Sequence, residues 1–189
     1  MKRSLIVRDV YDLSYFTEDE LETANAFKLQ KRSDEWLLAR FAAKQLALEL
    51  GIVDDPRKCS IARPMLIVDG APVNWFVSIS HSAPYAAAAI AREPVGIDIQ
   101  MVRDLSENAA HLFLSDREAE AMRRCTLPRR LLHFWSAKEA AWKSRSTELT
   151  TLKQLPIEVI EERASGLRFD VAETMAIEDV ILGITHPTS

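Results

Sequence analysis

Residues 134–143 read FWSAKEAAWK. Stepped by helical turns, Trp135, Glu139 and Trp142 fall at i, i+4 and i+7 and share one face. Leu131 and Leu132 extend that apolar face backwards. Glu139 is therefore a carboxylate expected inside a bulky apolar stripe, which is costly unless the group is paired or binds a cation. Lys143 lies one turn on, and Lys138 is adjacent. A second such acid stands in Val95-Gly96-Ile97-Asp98-Ile99-Gln100. In a strand, Val95, Ile97 and Ile99 face one way while Gly96, Asp98 and Gln100 face the other. Two acids, one on a strand and one on a helix, point to a divalent cation, with Gln100 able to add a neutral oxygen. The residues alone equally allow buried acids held by lysine or by backbone donors. Glu139 and Lys143 also make an ordinary i,i+4 helix pair.

Three other groups can do chemistry. Ser78-Ile79-Ser80-His81-Ser82 sets hydroxyls and an imidazole at the end of a strand, suited to phosphate. The same run offers a serine with a histidine base, but without the flanking glycines of a nucleophile elbow. Basic residues cluster as Lys28, Lys31 and Arg32, as Arg40 and Lys44, and as Arg123, Arg124, Arg129 and Arg130. Each cluster reads either as a solvated face or as a local site for an anionic ligand or an acidic protein.

The elements that must position these groups can be placed. A strand is expected over residues 4–10. Thr17-Glu18-Asp19-Glu20 is a capping box for a helix near Leu21. Ser33 is expected to cap a second helix through Leu50, stopped by Gly51. Residues 65–68 and 75–80 read as strands, with Asp69-Gly70 in a link longer than a tight hairpin. Residues 85–91 and 95–100 are two further strands joined by Arg92-Glu93-Pro94. Ser115 to Glu118 is another capping box, for a helix to about Arg124. Pro128 fits the first turn of the helix that carries Glu139. Residues 157–161, 167–171 and 180–185 close the chain as strands. The order is α+β, with one theme stated twice and the second statement beginning near Gly96. The halves are expected as residues 1–95 and 96–189.

Composition narrows the function. The chain has 189 residues, 48% of them hydrophobic, enough for one domain or two small ones. No apolar run approaches the ~20 residues of a membrane helix. The apolar run near the N-terminus is too short for a signal peptide. The two cysteines, Cys59 and Cys125, have no metal-type spacing and are expected as thiols of a cytoplasmic protein. A net charge of -4 weighs against nucleic acid as a partner.

Taken together, the pieces resemble the 4′-phosphopantetheinyl transferases, specifically their larger, surfactin-synthetase-activating type. That family shows an I/V-G-I/V-D strand, here Gly96-Ile97-Asp98. It then shows W-x-x-K-E-A/S and a further lysine, here Trp135, Lys138, Glu139, Ala140 and Lys143. Ahead of these stand a basic residue with proline, similar to Arg63-Pro64, and S-x-S-H-S, similar to Ser78 through Ser82. An arginine-bearing helix precedes both, as Arg40 does here, and His186-Pro187 is similar to the family's tail. The likeness covers roughly residues 30–187.

The resemblance implies a pseudo-dimer of two similar α+β halves with coenzyme A in the cleft between them. It implies transfer of 4′-phosphopantetheine from coenzyme A to a serine of an apo acyl or peptidyl carrier protein, releasing 3′,5′-ADP. Mg²⁺, with Mn²⁺ as a substitute, would be held by Asp98 and Glu139, with Gln100 as a third donor. Glu139 would be the base, and Lys143 would hold a phosphate. Arg40, Arg63, Ser80 and His81 would contact coenzyme A phosphates, with Lys44 a weaker candidate. Carrier docking on the four arginines 123, 124, 129 and 130, with Leu112, Phe113 and Leu114, follows from charge and chain position. A monomer is expected, without nucleic acid or membrane. Two departures stand out: Gln100 replaces the family's second strand acid, and Arg63 its lysine. The chain is short for the type, and trimmed loops are expected to account for this. The alternatives are a non-catalytic coenzyme A or carrier-binding module, opposed by Asp98, Glu139 and Lys143 but left open by Gln100, and a Mg²⁺-dependent phosphohydrolase or nuclease, disfavoured by the net charge.

Overall fold

The computed structural model describes residues 2–145 and 151–186. Pro187, expected after His186, lies outside the described residues. The chain divides into two compact units, Met1–Pro94 and Val95–Ser189. No helix among the described residues is long and apolar enough to cross a membrane.

In the first unit, β1 (Lys2–Arg8) is followed by α1 (Glu18–Asn25) and α2 (Gln30–Glu49). Then come β2 (Cys59–Ala62), β3 (Met65–Val68), β4 (Ala71–Ser82) and β5 (Tyr85–Ala91). The sheet is antiparallel, in the order β1-β5-β4-β3-β2. The strand β5 is buried along its whole length because β1 and β4 flank it and α2 covers it. Small residues allow this: Ala39, Ala42, Ala43 and Ala47 of α2 share a core with Ala86 and Ala88 of β5. The Thr17 capping box forms as expected. Ser33 does not cap α2; the helix starts at Gln30 without a side-chain cap, and Ser33 is buried within it. Gly51, at φ 66°, does stop it, because it takes the left-handed conformation that disfavours other residues. The Asp69-Gly70 link is shorter than expected. With β4 starting at Ala71, these two residues make the entire turn, both at positive φ, as a tight hairpin requires.

The second unit repeats the plan. After β6 (Ile97–Met101) come α3 (Ala110–Phe113), α4 (Asp116–Arg124) and α5 (Arg130–Ser144). The strands β7 (Val159–Arg163), β8 (Gly166–Phe169), β9 (Ala172–Ile177) and β10 (Val180–Thr185) follow. The order is β6-β10-β9-β8-β7, again antiparallel. In both units the first strand pairs with the last, and a long helix stands between the first and second strands. The fold is α+β in two similar halves, as the sequence implied. Two details differ from the sequence reading. The strands β2 and β9 were not foreseen. Pro128 stands two residues before the start of α5. The strands β5 and β6, on either side of Arg92-Glu93-Pro94, belong to different sheets.

Two buried polar groups tie α5 to its surroundings. Lys138, fully buried, bonds Glu118 at 2.8 Å and the Leu152 carbonyl at 3.1 Å. Glu118 is also the capping-box acid of α4 and accepts from the Ile157 N–H at 2.9 Å. Burial would push the Glu118 carboxyl up, but Lys138, Ser115 and Ile157 hold it below its ordinary range. His133 is 1% exposed, with Nδ1 2.9 Å from Thr174 Oγ1. That hydroxyl accepts from the Leu167 N–H, and its single proton serves either the Leu167 carbonyl or Nδ1, according to the His133 tautomer.

Burial pushes the His133 imidazole down from 6.5 to about 4. Between those values the unfolded chain holds a proton that the folded chain refuses, so stability falls as pH falls through the window. The loss should reach roughly 3 kcal/mol by pH 4. His133→Asn, which keeps a donor, should flatten the dependence of the urea midpoint on pH between 6.5 and 4; an unchanged slope would exclude His133 as its source.

Candidate active site

Along β6 and the residue before it, the buried Ile97 and Ile99 alternate with Gly96, Asp98 and Gln100. The helix α5 lies on the glycine and aspartate face at backbone contact. A Cβ at Gly96 would stand 1.8 Å from the Ala140 carbonyl oxygen, so only glycine fits there. This approach lets Lys143, three residues further along the helix, reach back to the strand. Its Nζ lies 2.8 Å from Asp98 Oδ1 and 3.1 Å from the Ile97 carbonyl. Gln100 donates from Nε2 to Asp98 Oδ2 at 3.0 Å. Asp98 is 2% exposed, so both of its oxygens meet these donors away from solvent.

Glu139 sits one turn before Lys143. Burial pushes its carboxyl up, nearby Asp98 adds to this, and Lys143 opposes it. Asp98, Glu139, Lys143 and Gln100 are thus brought together, as their spacing implied. The setting of Glu139 differs from the expected apolar stripe. The helix is buried almost all round, and Trp135, Glu139 and Trp142 lie on its less buried side, with Trp142 40% exposed. The fully buried charge on α5 is Lys138, whose structural partner across 20 residues no local pattern reveals.

The cluster has oxygen donors and an excess of negative charge that the raised Glu139 already registers. Such a set suits a hard divalent cation that fills its other positions with ligand oxygens and water. Asp98 and Glu139 could hold it, with the Gln100 side-chain oxygen available if the amide turns. Among the described residues no group of three or more His, Cys, Asp or Glu is placed to hold a metal ion. Any cation here would therefore depend on its ligand for part of its shell.

The segment carrying β6 and α5 matches a known family. The profile described as the 4′-phosphopantetheinyl transferase superfamily matches residues 94–182. This segment, just under half of the chain, is similar to that superfamily. Enterobactin synthase component D of Escherichia coli (strain K12) is 32% identical over 123 residues, covering 61% of this chain and 55% of that protein. The Salmonella typhimurium (strain LT2) protein of the same name is 31% identical over 125 residues, covering 64% of this chain and 51% of that protein. The chain spans about half the length of the curated relatives it matches.

The first unit presents the remaining expected residues in two places. Arg40 of α2 stacks its guanidinium 3.5 Å over the Trp36 ring. Burial pushes Arg40 down to about 10; Glu20 opposes this, and Arg63 adds to it. Arg40 and Arg63 are thus near enough to repel, an arrangement receptive to an anion. Ser80 and His81 end β4, with Ser80 buried and His81 Nδ1 3.9 Å from Glu35. His81 lines a cavity of about 620 Å³ with Lys31, Asp34, Tyr11 and Tyr85, which Arg40, Arg63 and Ser80 do not line.

Two expectations are corrected. Lys44 is fully buried; its Nζ bonds Glu20 at 3.0 Å, the Pro56 carbonyl at 2.9 Å and the Cys59 carbonyl, so it is a strap inside the unit and not a ligand contact. The proposed docking surface also shrinks. Phe113 and Leu114 are buried, Arg124 pairs with Glu120, and Arg130 is held by Glu107 and the Cys125 carbonyl. Leu112, 69% exposed, Arg123 and Arg129 remain on offer. Lys44→Met should lower stability by about 3 kcal/mol, because Glu20 and two carbonyls lose their partner. An unchanged urea midpoint in this variant would exclude the strap role.

Proposed function

We propose that the protein transfers 4′-phosphopantetheine from coenzyme A to a serine of an apo acyl or peptidyl carrier protein and releases 3′,5′-ADP. The observation that carries this reading is the joining of Asp98 on β6 to Glu139 and Lys143 on α5, inside the segment that matches the superfamily. The relatives named enterobactin synthase component D support a role beside a synthase, and a cytoplasmic monomer is proposed with it.

Each residue has a part that its setting supports. Glu139, held above the ordinary carboxylate range, is a better base than an exposed glutamate and is suited to take the serine proton, directly or through a water. The serine oxygen bonds to the β-phosphorus of coenzyme A as the bond to 3′,5′-ADP breaks. Lys143 carries an ammonium to the departing phosphate. Asp98 orients Lys143 and, with Glu139 and Gln100, is the holder proposed for Mg²⁺ or Mn²⁺. That ion, when bound, supplies a Lewis acid that neutralises charge on the pyrophosphate. Arg40 and Arg63 are proposed for the 3′-phosphate end of coenzyme A, and Ser80 and His81 for another of its phosphates. Leu112, Arg123 and Arg129 are proposed for an acidic carrier.

Intact mass of apo carrier proteins incubated with the protein, coenzyme A and Mg²⁺ tests the proposal. A gain of one phosphopantetheine, lost with EDTA and reduced at least a hundredfold in rate by Glu139→Gln, is the expected result. No gain across fatty-acid, polyketide and peptide-synthetase carriers, with coenzyme A still bound, would replace it with a binding module.

A further inference from the structure

Directly across from Asp98 in the sheet stands Gly183 of β10. Side chains of directly paired residues emerge on the same face, so position 183 faces α5 as Asp98 does. Its backbone needs no glycine, because its φ is not in the left-handed range. What excludes a side chain is the helix: a Cβ would lie 2.5 Å from the Ser136 carbonyl oxygen, 2.7 Å from its carbon and 3.1 Å from the Ser136 Cβ. Ser136 is fully buried and stands one turn before Ala140, whose carbonyl abuts Gly96. The helix backbone thus rests on the sheet at two points one turn apart. Glu139 lies between those points in sequence, and Lys143 follows them.

We infer that Gly183 is a positioning residue of the site: it sets the distance from α5 to β6 at the level of Asp98, and so places Glu139 and Lys143 against that carboxylate. The inference rests on the proposed reading of Asp98 and Glu139 as cation ligands. A methyl at 183 must push Ser136 outward by roughly 1 Å, a displacement of the size that disables preorganised sites. The 2.8 Å contact of Lys143 with Asp98 and the approach of Glu139 to Asp98 would open together.

A purely structural role is separated by a matched control. A Cβ at Gly166 of β8 would meet the Thr174 carbonyl oxygen at 1.8 Å, an overlap at least as severe, yet no site residue lies on β8 or β9, and Thr174 bonds α5 at His133, well before Glu139 and Lys143. Gly183→Ala and Gly166→Ala should both lower the melting temperature. With both folded at the assay temperature, free Mn²⁺ counted by electron paramagnetic resonance in the presence of coenzyme A should show affinity at least tenfold weaker in Gly183→Ala and within twofold of wild type in Gly166→Ala. Unchanged Mn²⁺ affinity in Gly183→Ala, or equal weakening in both, would overturn the inference. Should Gly183→Ala fail to fold, Ser136→Thr places the extra methyl on the helix side of the same contact. A several-fold weaker Mn²⁺ affinity there supports the inference, and an unchanged one overturns it. The Mn²⁺ readout needs no carrier protein, so it stands apart from the transfer reaction. A wild-type protein that binds no Mn²⁺ would overturn the cation reading and this inference with it.

Discussion

The second unit depends on how near a helix can come to a sheet. Side chains normally hold the two layers apart. Where the helix backbone itself touches the strands, a lysine that would otherwise point past the sheet can fold back onto it. The contact at Gly96 allows this for α5, and the outcome is an ammonium seated on a buried aspartate with a second carboxylate one turn away. The rest of the unit keeps that seat fixed. The buried Lys138 to Glu118 bond ties the helix to α4, and the His133 to Thr174 bond ties it to β9. Neither link is worth much net stability compared with apolar packing, but breaking one would leave a buried polar group without its partner.

Three lysines show how charge acquires a role through its surroundings. Lys44, Lys138 and Lys143 all lie on long helices, and all make a close ion pair with an acid. Lys44 and Lys138 are fully buried and also bond backbone carbonyls near 3-10 turns, which fixes loops against helices. Lys143 bonds a carbonyl too, that of Ile97, but keeps some contact with solvent, at 17% side-chain exposure. Exposure, not residue type, separates the two straps from the lysine proposed to meet a phosphate.

Much of this was legible beforehand. Alternation placed Asp98 and Gln100 on one strand face, and i,i+4 spacing put Glu139 beside Lys143, because both periodicities are properties of the local backbone. Both predicted capping boxes formed for the same reason. What escaped depends on distant partners. Ser33 looked like a cap but is buried within α2, because the helix begins a turn earlier, at Gln30. The strand β9 carries Glu173, Thr174 and Met175 in a pattern too mixed to read, and is defined by pairing with β10. Gly183 is an ordinary residue in a strand until α5 is laid across it. The apolar stripe assigned to Glu139 was real as a spacing, but a helix buried on most sides makes its least buried face the informative one.

The repeated strand order has a consequence for how such a chain can be assembled. In the first unit Lys2 pairs with Ala91, and in the second Ile97 pairs with Ile184, so each unit's entry and exit are adjacent in its own sheet. A unit with neighbouring ends can be joined in tandem to another through very few residues, without rethreading its strands. The chain makes that passage between Ala91 and Ile97, which makes the plan easy to duplicate and leaves each copy free to diverge: alanines under the helix in one, glycines in the other.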